Sequence, residues 1–152
     1  MGSISEFFSQ EDKELIVSEI KKAEAKTSGE IRVRIEKSAG EDPLKAARTA
    51  FKMLGMKKTK LRNGVLIFLG IEDRRFVILG DNNINKKVPE GFWDSTRDIM
   101  QEHFREADFV KGLSEGIVRA GEQLATFFPC ENKDVNEITN AISFEDEGEN
   151  KI

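Results

Sequence analysis

Apolar residues along this chain keep two different periods, and each change of period marks an element. Leu15, Ile16, Ile20 and Ala23 recur at helical spacing behind Ser9. That spacing predicts a helix capped by Ser9 and stopped near Thr27-Ser28-Gly29. The period then drops to two, because Glu30-Ile31-Arg32-Val33-Arg34-Ile35 alternates as a half-buried strand does. Asp42-Pro43 opens a second helix as cap and first residue, with Leu44, Ala47, Phe51 and Leu54 on one face and Gly55 closing it. Val65-Leu66-Ile67-Phe68-Leu69 is apolar throughout, which predicts a central strand covered on both faces. Phe76-Val77-Ile78-Leu79 follows so soon that the two strands are expected to form a hairpin around Glu72-Asp73-Arg74. Strand, helix, strand in that order implies a parallel, right-handed crossover between the first two strands. Beyond Pro89 the pattern is helical: Phe92, Thr96, Ile99, Met100 and His103 share one face. After a break near Ala107-Asp108, Leu113, Ile117, Ala120, Leu124 and Phe127 share another. Trp93 is expected to be at least partly buried. Val135, Ile138 and Ile142 sketch one short amphipathic helix beyond Phe128-Pro129.

Charge separates the last stretch from the rest. The 152 residues carry a formal net charge of -4, with 34% charged residues. Seven acidic residues (Glu131, Asp134, Glu137, Glu145, Asp146, Glu147 and Glu149) stand against Lys133 and Lys151 after Cys130. Residues 1–130 are close to neutral, with 22 basic and 21 acidic groups. The expectation is one α/β domain over residues 1–130 and a disordered acidic tail over 131–152. No basic helix or aromatic-basic stripe points to nucleic acid. Cys130 is the only cysteine, so no intrachain disulfide can form. The chain lacks a signal peptide and any apolar run approaching about 18 residues, and reads as soluble, cytoplasmic and monomeric. Export or anchoring is expected only as part of a longer chain.

Several short motifs, in order, resemble the TPM domain family, once catalogued as a domain of unknown function. They are Ser28-Gly29-Glu30-Ile31-Arg32-Val33, the helix with Ala50-Phe51, Arg62-Asn63-Gly64-Val65-Leu66-Ile67, Asp73-Arg74-Arg75 and Val77-Ile78-Leu79-Gly80. Phe104 to Gly112 with Phe109 and Leu113, then Gly116-Ile117, continue the series. The resemblance covers residues 10–128. It implies a mixed sheet flanked by helices and, in some members, acid phosphatase activity. Plant thylakoid-lumen members are linked to photosystem II repair, and an animal member is an accessory protein of acetylcholine receptors. Many bacterial members carry a signal peptide and a membrane segment, which this sequence lacks.

The residues themselves exclude the usual phosphatase nucleophiles, and no catalytic residue is identified. A cysteine phosphatase needs an arginine a short loop beyond its thiolate, and Asn136 stands at that place after Cys130. His103 lies in Glu102-His103-Phe104 rather than Arg-His-Gly, at a core-facing helix position. Glu72-Asp73-Arg74-Arg75 is not the Asp-x-Asp of an aspartyl-phosphate enzyme. Phosphoester hydrolysis would therefore need a metal to generate the nucleophile.

Asp81-Asn82-Asn83-Ile84-Asn85 opens like a calcium loop, but Lys86 stands where glycine is needed and Phe92 where the final glutamate is needed. The bland alternative is a tight turn in which asparagine tolerates left-handed backbone. Topology adds that the start of the two parallel strands and the end of the third share one sheet edge. The candidate cation ligands there are Asp81, Asn83, Asn85, Glu30 and Glu90, for weakly held calcium or magnesium. Lys60, Arg62, Asn63, Lys86 and Lys87 are the candidate anion-binding groups, where the bland reading is a solvated basic rim. The opposite edge, ranked second, carries Glu41, Asp42, Glu72 and Asp73. The expected fold is a single α/β domain with a mixed sheet of three to four strands and about four helices. The expected function is a phosphatase-like domain that binds a divalent cation and hydrolyses phosphoesters, carried by the resemblance. The alternative is a non-catalytic interaction module that meets a protein partner through Trp93, Phe92 or the tail.

Overall fold

A strand apolar at every position can only sit between two layers, and Gly64–Gly70 (β2) does so with every residue buried. The structure is a computed structural model describing residues 4–130 and 142–145. β2 pairs in parallel with Glu30–Glu36 (β1) and antiparallel with Phe76–Gly80 (β3). A short strand, Ile142–Phe144 (β4), adds to the other side of β1 in parallel register. The sheet order is β3-β2-β1-β4.

Alternation along the strands divides the core in two. Ile31, Val33, Ile35, Val65, Ile67 and Leu69 face the larger cluster, with Ile16 and Ile20 of helix α1 (Gln10–Glu24). The same cluster takes Met100 and Phe104 of α4 (Asp94–Arg105) and Leu113, Ile117 and Leu124 of α5 (Phe109–Phe127). Leu66 and Phe68 face the other way, onto Ala47, Ala50 and Phe51 of α2 (Pro43–Met53). The fifth helix, α3 (Asn82–Lys87), is short and follows β3 directly.

Local chemistry explains the boundaries. Ser9 caps α1 in a reciprocal box with Asp12, each side chain accepting the other's backbone N–H at 3.0 Å. Asp42 caps α2 through the Lys45 amide, with Pro43 in the first turn. Gly55 leaves α2 at φ 74°.

Four details differ from the sequence expectations. First, α1 ends at Glu24, and Gly29 serves close packing, since a Cβ there would lie 3.0 Å from the Asn63 carbonyl oxygen. Second, Leu15 and Leu44 are exposed at 44% and 41%, because the buried stripes are centred on Ile16–Ile20 and Ala47–Phe51. Third, β1 is buried on both faces rather than half-buried. Its polar side chains are paired: Arg32 reaches Glu24 at 2.6 Å and Glu30 at 3.2 Å, and Arg34 reaches Glu36 at 2.9 Å. Fourth, Ile142 lies in a strand rather than a helix. Val135, Ile138 and the remainder of 131–152 lie outside the described residues.

Candidate functional site

The parallel pair β1–β2 gives the sheet an amino edge and a carboxyl edge, and the two are built differently. At the amino edge, Asp81 leaves β3 and caps α3 through the Asn82 amide at 2.7 Å. Both of its carboxylate oxygens also meet the Arg62 guanidinium in a fork, at 2.8 and 2.9 Å. That hydrogen bond and the attraction of the Asp81 charge raise the Arg62 pKa against a lesser desolvation cost. Asp81 is buried, so a cation there would have to displace a guanidinium.

The asparagines do not converge either. Asn83 and Asn85 belong to a helix, where two residues apart means about 200° around the axis. Asn83 donates its amide to the Leu61 carbonyl and Asn85 to that of Gly80. The spacing that would gather ligands in a loop therefore separates them here. Glu30 pairs with Arg32, and its partner on β2 is Gly64, one strand short of β3. Glu90 is exposed in the α3–α4 connection, at the rim of a concavity of about 350 Å³ that also takes in Asn85, Asp94 and Arg97.

The anion candidates differ in burial and partners. Asn63 is buried and donates to the Ser28 hydroxyl at 3.2 Å. Lys87 lies over the Phe128 ring at 5.1 Å, and Lys60 and Lys86 are exposed. No side chain caps the N-terminus of α4, where Trp93 holds the cap position. Trp93 itself is only 7% exposed, as expected, and Phe92 packs edge-on between it and Phe127.

At the carboxyl edge, the β2–β3 turn and the loop after β1 are sewn together. The Ile71 and Glu72 amides donate to the carbonyls of Glu36 and Lys37 at 3.0 and 2.8 Å. Asp73 makes the tighter stitch, accepting from the Ala39 and Gly40 amides, the Ser38 hydroxyl and the Arg75 amide. Burial raises its pKa, but these donors outweigh it and hold the carboxyl below its usual value. The approach is so close that a Cβ on Gly70 would stand 2.2 Å from the Ala39 nitrogen. Only glycine fits there. Asp73 thereby fixes the loop carrying exposed Glu41 and Asp42 against the turn carrying exposed Glu72. Arg75 donates to the Gly40 carbonyl at 2.9 Å, and Arg74, left-handed at φ 57°, to that of Arg105 at 2.6 Å.

Sequence reasoning missed the charged face of β1, where Arg32 and Arg34 lie buried. The signal was present in the alternating Glu-x-Arg-x-Arg-x-Glu of residues 30–36, which places complementary charges on one face. His103 is half-buried near the end of α4. Among the described residues, no group of three or more His, Cys, Asp or Glu side chains stands together as a metal cluster. Among them also, no helix is long and apolar enough to cross a membrane.

Comparison with known proteins agrees with this architecture. No curated protein matches the chain. The BA42 protein of the psychrophilic bacterium Bizionia argentinensis, solved by NMR, is 45% identical with a TM-score of 0.86, over 95% of this chain and 99% of that one. An N-terminal domain from P. gingivalis shares the fold at 21% identity and a TM-score of 0.68, over 86% of each chain. The N-terminal domain of the cg2496 protein of Corynebacterium glutamicum does so at 17% and 0.61, over 89% of this chain and 84% of that one. The sequence model of the TPM domain matches residues 4–123. With most of its length matched by the family model, and a solved structure 45% identical over nearly the whole chain sharing its fold, this chain belongs to the TPM domain family.

Proposed function

We propose that this TPM domain is phosphatase-like, binding a divalent cation weakly through oxygen ligands and acting on phosphoesters at the carboxyl edge of its sheet. The observation that carries the choice of edge is the placement of exposed carboxylates beside arginines, just beyond the carboxyl ends of two parallel strands. Open α/β sheets bind ligands at that end. The donor set there is all oxygen, which fits calcium or magnesium and not zinc. Glu41 and Glu72 are the exposed carboxylates that would supply oxygen ligands, with water completing the shell, while Asp42 already caps α2 through the Lys45 amide. Asp73 is a positioning residue, since its oxygens are already taken by the 38–40 loop and Arg75. A bound cation would supply Lewis-acid polarisation of a phosphoryl oxygen. Arg74 and Arg75 border the same loops and supply positive charge for an anionic substrate. The amino-edge groups support this reading less, because Asp81 is committed to Arg62 and to the α3 cap.

Calcium and magnesium titrations followed by backbone amide shifts test the reading, with hydrolysis of a generic phosphomonoester measured alongside. The expected shifts cluster at residues 36–42 and 71–75, saturate in the ~0.1–1 mM range and weaken in Glu72→Gln. Shifts at 60–63 and 81–86 that disappear in Asp81→Ala would return the site to the amino edge. No shift with either cation would remove the metal-assisted reading.

A further inference from the structure

We propose that the outward face of α2 and the loop after it form a peripheral docking surface for an anionic phospholipid bilayer. The face is set by the sequence. From Pro43 to Ile71 the chain carries Lys45, Arg48, Lys52, Lys57, Lys58, Lys60 and Arg62 and no acidic residue, although its net charge is -4. Lys45, Arg48 and Lys52 recur at i, i+3 and i+7, which sets them in one stripe along the helix. The opposite side of α2 is the buried one, where Ala47, Ala50 and Phe51 pack on Leu66 and Phe68.

Two features set this face apart from an ordinary solvated one. Among the described residues, Lys45, Arg48, Lys52, Lys57 and Lys58 are exposed and have no carboxylate partner, whereas Arg62 is held by Asp81. Exposed apolar side chains stand among these cations. Of the five large hydrophobic residues exposed in the described chain, three are here: Leu44, Met53 and Leu61. Helical geometry puts Leu44 and Met53 on the two flanks of the basic stripe. Leu61 follows Lys60 in the loop.

That combination selects the occupant. Clustered cations on a helix attract anionic lipid headgroups, and apolar side chains beside them enter the interface. Nucleic acid would leave Leu44, Met53 and Leu61 against phosphate, since none offers an aromatic face to a base. An extended peptide would need a groove, and the surface of a helix is convex. Glu41 and Asp42 precede α2, so the contact centres on its C-terminal half and the loop, at Arg48, Lys52, Met53, Lys57 and Lys58. Peripheral contact of this kind needs no bilayer-crossing helix. The inference is independent of the phosphatase reading.

Co-sedimentation of the full chain with vesicles tests it, using phosphatidylcholine alone and phosphatidylcholine mixed with phosphatidylglycerol. The chain should bind the mixed vesicles at low salt, ignore the neutral ones and be released at about 1 M salt, where the Debye length is only ~3 Å. The Lys45→Gln/Arg48→Gln/Lys52→Gln variant should bind more weakly by about fivefold for each cation removed. Where its amide spectrum departs from the wild type, Lys57→Gln/Lys58→Gln in the loop carries the same measurement. Met53→Ser should weaken vesicle binding and leave any binding to soluble polyglutamate unchanged. No binding to the mixed vesicles at low salt, equal binding to both kinds, or unchanged affinity in the charge variants would overturn the proposal. Polyglutamate bound more tightly than the mixed vesicles, with Met53→Ser without effect on either, would assign the face to an acidic protein and overturn the bilayer assignment.

Discussion

Two aspartates illustrate how a single carboxylate can be spent on architecture. Asp73 accepts from four donors in the 38–40 loop and its own turn, and its pKa is lowered in consequence. Because the folded-state value lies below that of an unfolded aspartate, about 3.9, its stabilisation is complete above that pH. It is lost as pH falls through the folded value. Asp73→Asn should therefore lower stability at neutral pH, with the gap to the wild type closing below about pH 4 in urea titrations. The exposure of the residue keeps the expected loss modest, about 1 kcal/mol. Asp81 caps α3, so Asp81→Ala should cost about 1–2 kcal/mol through the lost cap. Asp81→Asn keeps a capping oxygen and should recover part of it, which thermal unfolding of the pair would reveal.

Between elements, packing overrides intrinsic preference. α4 and α5 approach so closely that a Cβ on Gly112 would stand 2.4 Å from the Phe104 ring. In an isolated helix, Gly→Ala gains about 1 kcal/mol. Here the ring, wedged among Phe76 and Phe109, has little room to yield. Gly112→Ala should therefore destabilise by about 1–3 kcal/mol, the reverse of the helix-propensity sign, measured as a lowered denaturant midpoint. The same competition explains α3. Asp81-x-Asn-x-Asn reads as a loop that could wrap an ion, yet backbone pairing inside Asn82–Lys87 and the Asp81 cap turn it into a helix. Spacing alone does not distinguish the two, because ligand convergence depends on backbone conformation.

For the whole molecule, burial on both faces makes β2 the natural last element to open, and the short β4 the first strand to do so. Native-state exchange should rank β2 amides slowest and β4 amides fastest among the strands, with β4 opening well below the global unfolding free energy. Slowest exchange in β3 would contradict this ordering.

The sequence by itself determined the parts governed by local rules. The apolar run of β2, the hairpin into β3, the Ser9 and Asp42 caps and the apolar stripes of α4 and α5 all follow from neighbours within a few residues. The motif order from Ser28 to Ile117 also carried the family, because that order reflects the whole fold. Tertiary structure decided what depends on residues far apart in the chain. Ile142–Phe144 becomes a strand only because β1 has an open edge more than 100 residues earlier in the chain. Arg32 and Arg34 are buried only because Glu24, Glu30 and Glu36 offset their charge and Ser143 accepts from Arg34. Asp81 goes to Arg62, and Asp73 to the 38–40 loop, because the sheet brings those segments together. A carboxylate's role is set by which donors the fold delivers to it, and alternation along one strand cannot carry that information.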